Sequence, residues 1–286
     1  MQECGLVGLD RRARGVFGTI LGRHSRIPHN PETMTSMVLL GVLAMGTSIV
    51  AGPLEYRDGS TVLEGFVAKP SGVNKAPVVL IVHDWNGIDA YEEGRAKQVA
   101  GLGYIGFAVD VYGKGVRPKN AQESSAEAQK YYQNHDLLLS RVRAALRAVS
   151  QIPEAQRDRL AMMGYCFGGM VALEAARSGA PLLGAVSFHG SLATKHPAQK
   201  GKVRAKILVL HGGADPLVPR ADVENLKKEM AEAGVALKFV EYPGALHAFT
   251  VPGPKPAPGA AAGYDPAADK ASWKELVAFL KSIFGR

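Results

Sequence analysis

Gly-Tyr-Cys-Phe-Gly-Gly, at residues 164–169, stands between an apolar run, Leu160–Met163, and a helix-like segment, Met170–Arg177. This order predicts a strand, a sharp turn and a helix, with Cys166 at the apex of the turn. Glycines flank such an apex because side chains there would collide with the neighbouring strand and helix. The pattern is Gly-x-Ser-x-Gly with sulfur in place of the hydroxyl oxygen. The start of a helix favours a thiolate on Cys166, although the motif alone also fits a buried, inert cysteine.

A thiol nucleophile requires a base, usually histidine, and a carboxylate often orients that base. In folds with this turn, the nucleophile comes first along the chain, the acid second and the histidine third. Asp215 follows a strand-like run, Ile207–Leu210, and His247 follows another, Leu237–Val240. All three residues therefore come after strands, at the edge where open α/β sheets build their sites. Order and position together predict a triad of Cys166, Asp215 and His247.

Further motifs accompany the turn. The set is Gly-Tyr-Cys-Phe-Gly-Gly at 164–169, His-Asp-Trp-Asn-Gly at 83–87, Asp-Val-Tyr-Gly-Lys at 110–114, Gly-Gly-Ala-Asp at 212–215 and His-Ala-Phe at 247–249. With these motifs, the chain from Leu54 onward resembles the dienelactone hydrolase family of α/β-hydrolases. The resemblance implies an α/β-hydrolase fold, hydrolysis of carboxylic esters or lactones, and Cys166, Asp215 and His247 as the triad. It does not imply a particular substrate.

The rest of the chain predicts one α/β domain over residues 53–286. Two strands on either side of Asp58-Gly59 form an antiparallel hairpin, and the apolar run Pro77–Val82 is typical of a central buried strand. Strands and helices then alternate, with a long helical region over Ala121–Val149 and a closing helix over Ser272–Phe284. Such alternation predicts a mostly parallel sheet with helices on both faces.

The turn also predicts where an oxyanion is stabilised. An enzyme with this turn takes one backbone N–H from the residue after the nucleophile, here Phe167, and a second from an earlier loop. By resemblance, the second donor is the backbone N–H of Trp85. Asp84 stands where the family usually has Glu, a carboxylate that engages the resting thiol. The shorter Asp requires the loop to move in or weakens this control over Cys166, and it also fits a simple turn-forming role.

Contacts with a charged substrate are predicted from the same resemblance. Family members that act on dienelactone hold its carboxylate with two arginines, at positions that correspond here to Lys114 and Val251. Lysine offers a point charge instead of a bidentate fork and valine offers no charge, so we expect weaker selection for an anionic lactone. Arg117 is either a partial substitute or a solvated loop residue.

The pocket itself is expected to be largely apolar. Four aromatic residues are expected to line it: Tyr112, Trp85, Phe167 and Phe249. The alternative is that these residues belong to the core. A segment rich in Pro, Gly and Ala, residues 251–269, directly follows the His247 motif. This segment either borders the substrate entrance or is a mobile surface loop.

Residues 1–52 are predicted to be an extension outside the fold. Five arginines between Arg11 and Arg26 precede an uncharged stretch, whose apolar part is Met37–Met45 with Ile49–Ala51. A basic segment followed by such an apolar segment is typical of a signal peptide, so a periplasmic or secreted location is favoured. One alternative is an uncleaved membrane anchor. The other is an over-extended translation start, in which case the protein would be cytoplasmic.

Composition narrows the range of partners. The formal net charge is +8, but Lys and Arg are interspersed with acids and no basic cluster alternates with aromatic residues. Two cysteines, Cys4 and Cys166, provide no disulfide framework, and no metal-ligand spacing or phosphate-binding loop occurs. We therefore expect no nucleic acid, metal or cofactor, and no membrane span in the mature domain. The expected partner is a small ester or lactone, and the expected oligomeric state is a monomer or a dimer.

Two functions are consistent with the sequence. In the first, the Cys166 thiolate attacks an ester or lactone carbonyl, and water resolves the thioester with His247 as acid and base. The second is a non-catalytic binding protein of the cell envelope that retains the fold and the pocket. Fast alkylation of Cys166 by iodoacetamide at mildly acidic pH would distinguish a thiolate from an inert core cysteine.

Overall fold

The computed structural model describes residues 48–285, which form one eight-stranded sheet covered by helices on both faces. The predicted signal peptide or anchor lies outside these residues, apart from its last few positions. The strands are β1 (Ile49–Asp58), β2 (Thr61–Pro70), β3 (Ala76–Val82), β4 (Ile105–Val109), β5 (Ala155–Tyr165), β6 (Gly184–Phe188), β7 (Lys206–Gly212) and β8 (Leu237–Tyr242). The helices are α1 (Ala90–Gly101), α2 (Ala121–Gln133), α3 (His135–Ala148), α4 (Phe167–Arg177), α5 (Arg220–Glu232) and α6 (Pro266–Phe284).

The strands are ordered β1-β2-β4-β3-β5-β6-β7-β8 across the sheet. β1 and β2 form an antiparallel hairpin that closes at Asp58 and Thr61, and β2 is antiparallel to β4. The other neighbouring strands of the described chain are parallel. The predicted architecture, a mostly parallel sheet that begins with an antiparallel hairpin, is therefore confirmed.

The hairpin begins earlier in the chain than predicted. β1 starts at Ile49, and residues 49–52 pair with residues 67–70 of β2, although the extension was expected to run to residue 52. Ile49 and Val50 are β-branched and have a complete partner strand beside them, which favours extended backbone. Their side chains stay exposed. An apolar segment therefore continues as the edge strand of the sheet.

Alternation along the central strands divides the core into two layers. In β3, Val78, Leu80 and Val82 belong to the layer that contains residues of α2, α3, α4 and α5. Val79 and Ile81 belong to the layer that contains residues of α1 and α6. Successive side chains of a strand point to opposite faces, so a strand that is apolar at every position contributes to both layers.

The long helical region predicted over Ala121–Val149 consists of two helices. α2 ends at Gln133 and α3 begins at His135, because Asn134 leaves the helical backbone angles and its side chain accepts a hydrogen bond from Leu137 N. Asparagine favours helix starts for this reason. The closing helix also starts earlier than predicted, since Asp265 caps it and Pro266 occupies its first turn.

Two glycines allow β5 to pass directly into α4. A Cβ atom on Gly164 would overlap the backbone of Gly168, and one on Gly168 would overlap the backbone of Val82 and His83. These backbone groups belong to a helix start and a central strand, so they cannot move apart without breaking hydrogen bonds. Glycine is therefore required at both positions.

We expect Gly164→Ala to lower the free energy of unfolding by more than about 3 kcal/mol, because its methyl group would press on rigid backbone. Gly94→Ala is the matched control. Gly94 lies inside α1 with open space around it, so the same change there should raise the free energy of unfolding by about 0.5–1 kcal/mol. Urea denaturation followed by circular dichroism measures both. Equal values for wild type and Gly164→Ala would show that the turn tolerates a side chain.

Candidate active site

Cys166 stands at the turn between β5 and α4. Its backbone has φ 51° and ψ −111°, a conformation that residues other than glycine rarely adopt. Its N–H donates to Phe188 O at 3.0 Å and to His189 Nδ1 at 3.2 Å, so the end of β6 holds the turn in place. Strained backbone of this kind occurs at functional sites where the surroundings impose it. The turn expected from the sequence is present, and Cys166 is half-buried at its apex.

Asp215 and His247 meet at the same edge of the sheet. Asp215 lies in the loop after β7, and His247 lies in the loop after β8. His247 Nδ1 is 2.8 Å from Asp215 Oδ2, and both side chains are buried. His247 N donates to Ala261 O at 3.3 Å, and His247 O accepts from Gly263 N at 2.9 Å. The segment 251–269 therefore holds the backbone of the histidine loop.

The His247 imidazole faces the Cys166 side chain as well as Asp215. Burial lowers the pKa of the imidazole, but hydrogen bonds with Asp215 and Cys166, together with their charges, outweigh burial and raise the pKa of His247 to about 10. The ring is therefore protonated at neutral pH. A protonated imidazole that is bonded to a carboxylate and lies beside a cysteine is the partner that a cysteine nucleophile requires.

Two backbone N–H groups beside Cys166 have no acceptor among residues 48–285. They belong to Phe167, the first residue of α4, and to Trp85, which lines the same cavity as Cys166. Tyr112 Oη donates to the Trp85 carbonyl at 3.1 Å and so orients this part of the loop. Unoccupied N–H groups of this kind are suited to bind negative charge that develops during a reaction.

Asp84 borders the same cavity, but its oxygens are engaged by its own loop. Oδ1 accepts from Asn86 N at 2.7 Å, and Oδ2 accepts from Asn86 Nδ2 at 3.2 Å. Burial raises the pKa of Asp84 to about 6, and the hydrogen bonds from Asn86 oppose this rise. Asn86 Oδ1 in turn accepts from Ser124 Oγ of α2 at 3.0 Å. The short carboxylate thus has the turn-forming contacts that were one of its two expected roles.

A cavity of about 430 Å³ lies beside Cys166 and His247. Its apolar wall includes Trp85, Ala128, Tyr132, Leu217, Val218 and Val251. Among the described lining residues there is no lysine or arginine. Val251 and Ala262 belong to the segment 251–269, so this segment borders the cavity. A border of the substrate entrance was one of the two roles predicted for it.

The two predicted cationic contacts lie outside this cavity. Lys114 is exposed and pairs with Glu55 at 2.7 Å and with Glu64 at 3.1 Å, both on the hairpin. Arg117 donates to the carbonyl of Val116 at 2.8 Å. Local carboxylates and carbonyls engage both cations, which support the loop after β4 in this structure. A contact of either cation with a substrate stays a prediction.

Tyr112 and Phe249 belong to the core and not to the cavity wall. Tyr112 is buried against His83 and Tyr131, with ring centroids 4.5 Å and 5.4 Å away. Phe249 is fully buried and meets His189 edge to face. The Phe167 ring is also buried, so Trp85 alone of the four expected aromatic residues lines the described cavity. Each of the other rings fills space beneath a loop of the site.

Several residues of the cavity wall were not expected from the sequence, and His189 and Tyr132 are two of them. His189 directly follows β6, the same kind of position that singled out Asp215 and His247. It precedes Asp215 along the chain, so the expected order of nucleophile, acid and histidine does not select it as the base. Tyr132 lies near the end of α2, and nothing in its local sequence indicates that it borders a cavity.

Two other features, a metal centre and a membrane-spanning helix, are absent from residues 48–285. Among residues 48–285, no group of three or more His, Cys, Asp and Glu side chains is arranged to hold a metal ion. No helix within that range combines the length and the apolar character needed to cross a bilayer.

Curated relatives of the chain carry names from lactone hydrolysis. A protein named "Putative carboxymethylenebutenolidase" from Methylorubrum extorquens is 26% identical over 248 residues, which cover 81% of this chain and 85% of that protein. A protein named "Probable 2-oxo-3-(5-oxofuran-2-ylidene)propanoate lactonase" from a Bradyrhizobium species is 26% identical over 193 residues, which cover 64% of this chain and 77% of that protein.

The fold and the family profile agree with these relatives. A solved structure of a dienelactone hydrolase-like promiscuous phosphotriesterase from metagenomic libraries matches with a TM-score of 0.76 and 30% sequence identity, over 82% of this chain and 99% of that chain. The sequence profile of the dienelactone hydrolase family matches residues 63–284, which run from β2 to the end of α6. The chain therefore belongs to the dienelactone hydrolase family.

Proposed function

We propose that this protein hydrolyses carboxylic esters or lactones by acyl transfer to water, with Cys166 as the nucleophile. Family membership and the names of the relatives support a hydrolase of this class. The observation that carries the finer assignment is the Cys166 side chain next to an imidazole that is protonated at neutral pH and bonded to Asp215. A cysteine that only fills space has no use for such a partner.

In the first half of the proposed reaction, the Cys166 thiolate attacks the carbonyl carbon. A carbon–sulfur bond forms while the carbonyl π electrons move to oxygen, and the N–H groups of Phe167 and Trp85 bind the resulting oxyanion. Collapse of this intermediate expels the alcohol oxygen, which takes a proton from the His247 imidazolium. A thioester on Cys166 and a neutral imidazole remain.

In the second half, neutral His247 accepts a proton from water as that water attacks the thioester. A second oxyanion forms on the same two N–H groups, and its collapse expels the thiolate. The acid product leaves, and the imidazolium and thiolate are restored. Asp215 accepts the hydrogen bond of His247 Nδ1 in both halves, so the other ring nitrogen stays available to the reacting atoms.

The preferred substrate in this proposal is uncharged. Trp85, Leu217 and Val218 give the cavity apolar walls, and its described lining contains no lysine or arginine that could pair with a substrate carboxylate. Asp84 has a pKa of about 6, so at neutral pH it is mostly ionised and repels an anionic substrate. Lys114 remains paired with Glu55 outside the cavity.

Hydrolysis of p-nitrophenyl butyrate and of two enol lactones, one with and one without a carboxylate, tests the assignment. We expect Cys166→Ala to lose at least about 10³-fold in kcat/KM on every substrate that wild type hydrolyses. We expect wild type to favour the neutral lactone over the anionic one by about tenfold or more, because burying an unpaired carboxylate is costly. Lys114→Ala is the matched control and should change either lactone rate by less than about twofold, because Lys114 lies outside the cavity.

Each outcome of this panel bears on a separate part of the proposal. Full turnover by Cys166→Ala would overturn the nucleophile. A preference for the anionic lactone would overturn the substrate argument and leave the nucleophile standing. If wild type hydrolyses none of these substrates and also reacts with iodoacetamide no faster than a free thiol, the binding-protein alternative is supported.

The protonation state of His247 provides a test that needs no substrate. We expect NMR titration of the wild-type imidazole to show loss of its proton near pH 10. In Cys166→Ala and in Asp215→Asn the pKa should fall toward the ordinary value of about 6.5, because each change removes an anionic neighbour that favours the imidazolium. kcat/KM of wild type should decline as the pH rises through about 10. A pKa that stays near 10 in both variants would contradict the ion pair.

A further inference from the structure

A second cavity lies next to the catalytic one. It has a volume of about 310 Å³ and shares Tyr132 and Ser191 with the wall of the catalytic cavity. Its inner surface includes the buried side chains of Tyr131, Leu138 and Met170. The boundary between the two cavities therefore consists of one aromatic ring and one small side chain.

Tyr132 is loosely held at this boundary. Its side chain is 44% exposed, and its ring meets Phe167 edge to face with centroids 5.7 Å apart. Among residues 48–285, this is its one aromatic contact, and its hydroxyl has no hydrogen-bond partner. The helix ends at Gln133, and the backbone leaves helical angles at Asn134. A side chain with so few contacts changes rotamer at little cost.

The reaction geometry indicates which part of the substrate faces Tyr132. His247 must stand beside the leaving oxygen that it protonates, so the leaving group takes the side of the cavity formed by Ala248 and Val251. The acyl chain then extends toward the wall that α2 contributes. Tyr132 and Cys166 line the same cavity, which agrees with this direction for the acyl chain.

We propose that the second cavity is an acyl-chain subsite, and that Tyr132 admits an unbranched acyl chain of medium length into it. This inference rests on the proposed ester hydrolysis. Leu138 and Met170 supply apolar contacts for such a chain. The buried acid of this cavity, Glu174, lies 2.9 Å from His135 Nε2 and pairs with Arg177 at 2.8 Å. The lysine of the described lining, Lys195, is exposed, so the inner part of the subsite, formed by buried side chains, suits an uncharged hydrocarbon chain.

Ala193→Trp tests the subsite by filling it. Ala193 is exposed and lines the second cavity but not the catalytic one. We expect KM for p-nitrophenyl octanoate to rise about tenfold, since loss of burial for two methylene groups is enough for that change. KM for p-nitrophenyl acetate should change by less than about twofold, because a two-carbon acyl group does not reach the subsite. Ala126→Trp, at an exposed position of α2 outside both cavities, is the matched control and should alter neither value.

Substitutions of Tyr132, at the boundary between the two cavities, give a second test of the subsite. Tyr132→Ala should raise the octanoate-to-acetate ratio of kcat/KM about tenfold, whereas Tyr132→Phe should leave it unchanged. Equal effects of Ala193→Trp on both esters would overturn the subsite, and so would effects that follow the chain length of the alcohol in alkyl acetates. Absence of wild-type turnover on both esters would instead overturn the proposed function on which the subsite rests.

An independent observation concerns His189, which the proposed reaction does not use. Its ring is buried, and its backbone has φ 40° although it is not a glycine. Nδ1 accepts from Cys166 N at 3.2 Å, so the ring proton must be on Nε2, which donates to Thr250 Oγ1 at 2.8 Å. Burial, and after it the charge of His247, lower the pKa of His189 well below its usual value. The ring therefore stays neutral in one tautomer.

Thr250 is held in turn by a buried cation, Arg95. Tyr91 Oη lies 2.7 Å from Thr250 Oγ1, and Arg95 Nη2 donates to Tyr91 Oη at 3.1 Å. Arg95 Nη2 also lies 3.2 Å from Thr250 O and 2.7 Å from Asp269 of α6. The aromatic rings around the guanidinium are those of Tyr91, Trp273 and Tyr165. Residues of α1, α6 and the histidine loop thus fix Thr250.

We infer that Thr250 and His189 form a positioning relay that holds the Cys166 turn. Without the Thr250 hydroxyl, the proton on His189 Nε2 loses its acceptor, and a proton on Nδ1 would face the Cys166 N–H donor. The turn would then keep its bond to Phe188 O and lose the one to His189. Displacement of a nucleophile by a fraction of an ångström slows the chemical step more than it weakens binding.

Thr250→Val removes the hydroxyl and keeps the shape of the side chain. We expect kcat for p-nitrophenyl butyrate to fall roughly 10- to 100-fold, with KM within about twofold of wild type. The ¹⁵N shift of His189 Nδ1 should show that this atom no longer accepts from Cys166 N, because the ring turns to find an acceptor for its Nε2 proton. Thr250→Ser keeps the hydroxyl and should retain kcat within about threefold and the wild-type Nδ1 shift. Thr250→Ala repeats the test if Thr250→Val unfolds.

The relay is overturned if kcat is unchanged in the variants that lack the hydroxyl, or if Thr250→Ser falls as far as they do. A slower Thr250→Val whose His189 Nδ1 still accepts from Cys166 N would also overturn it, because the loss would then have another cause. The Nδ1 shift is measured without turnover, so this readout separates failure of the relay from failure of the proposed reaction.

Discussion

The close approach of the Gly164 and Gly168 backbones is the constraint on which the rest of the site depends. It lets β5 turn directly into α4, which places Cys166 at the sheet edge in a strained conformation and leaves the first N–H of α4 unoccupied. His247 and Asp215 come from neighbouring strand ends and add a buried imidazolium beside the sulfur. The positive charge of the ring is offset by the Asp215 carboxylate, and the ionised Asp84 adds negative charge to the cavity wall.

The parts of the molecule that were predictable from the sequence are those with a local signal. A glycine-flanked cysteine between a strand and a helix specifies the turn, because no other local structure needs glycine on both sides of the apex. Strand–helix alternation specifies a mostly parallel sheet, and parallel strands end at a common edge. Asp215 and His247 could be placed at that edge from their positions after strands, and the structure brings them within 2.8 Å of each other.

The parts that were not predictable depend on packing between distant segments. Phe249 and Val251 are two positions apart, yet the first is core and the second lines the cavity, and only the path of their loop decides this. Lys114 has the charge to bind an anion, but two glutamates of the hairpin are closer. His189 resembles a spare loop histidine until its contacts with Cys166 N and Thr250 are known.

The reacting groups and the cavity wall come from different parts of the fold. Cys166 and the N–H of Phe167 sit on a turn that tolerates almost no change, whereas Leu217, Val218 and Val251 lie on loops and Tyr132 lies at a helix end. Loop and surface positions accept substitution far more readily than close-packed backbone. Mutation can therefore reshape the substrate range in single steps while the chemistry stays constant. In evolutionary terms, the wall is free to diverge quickly around a slowly changing centre.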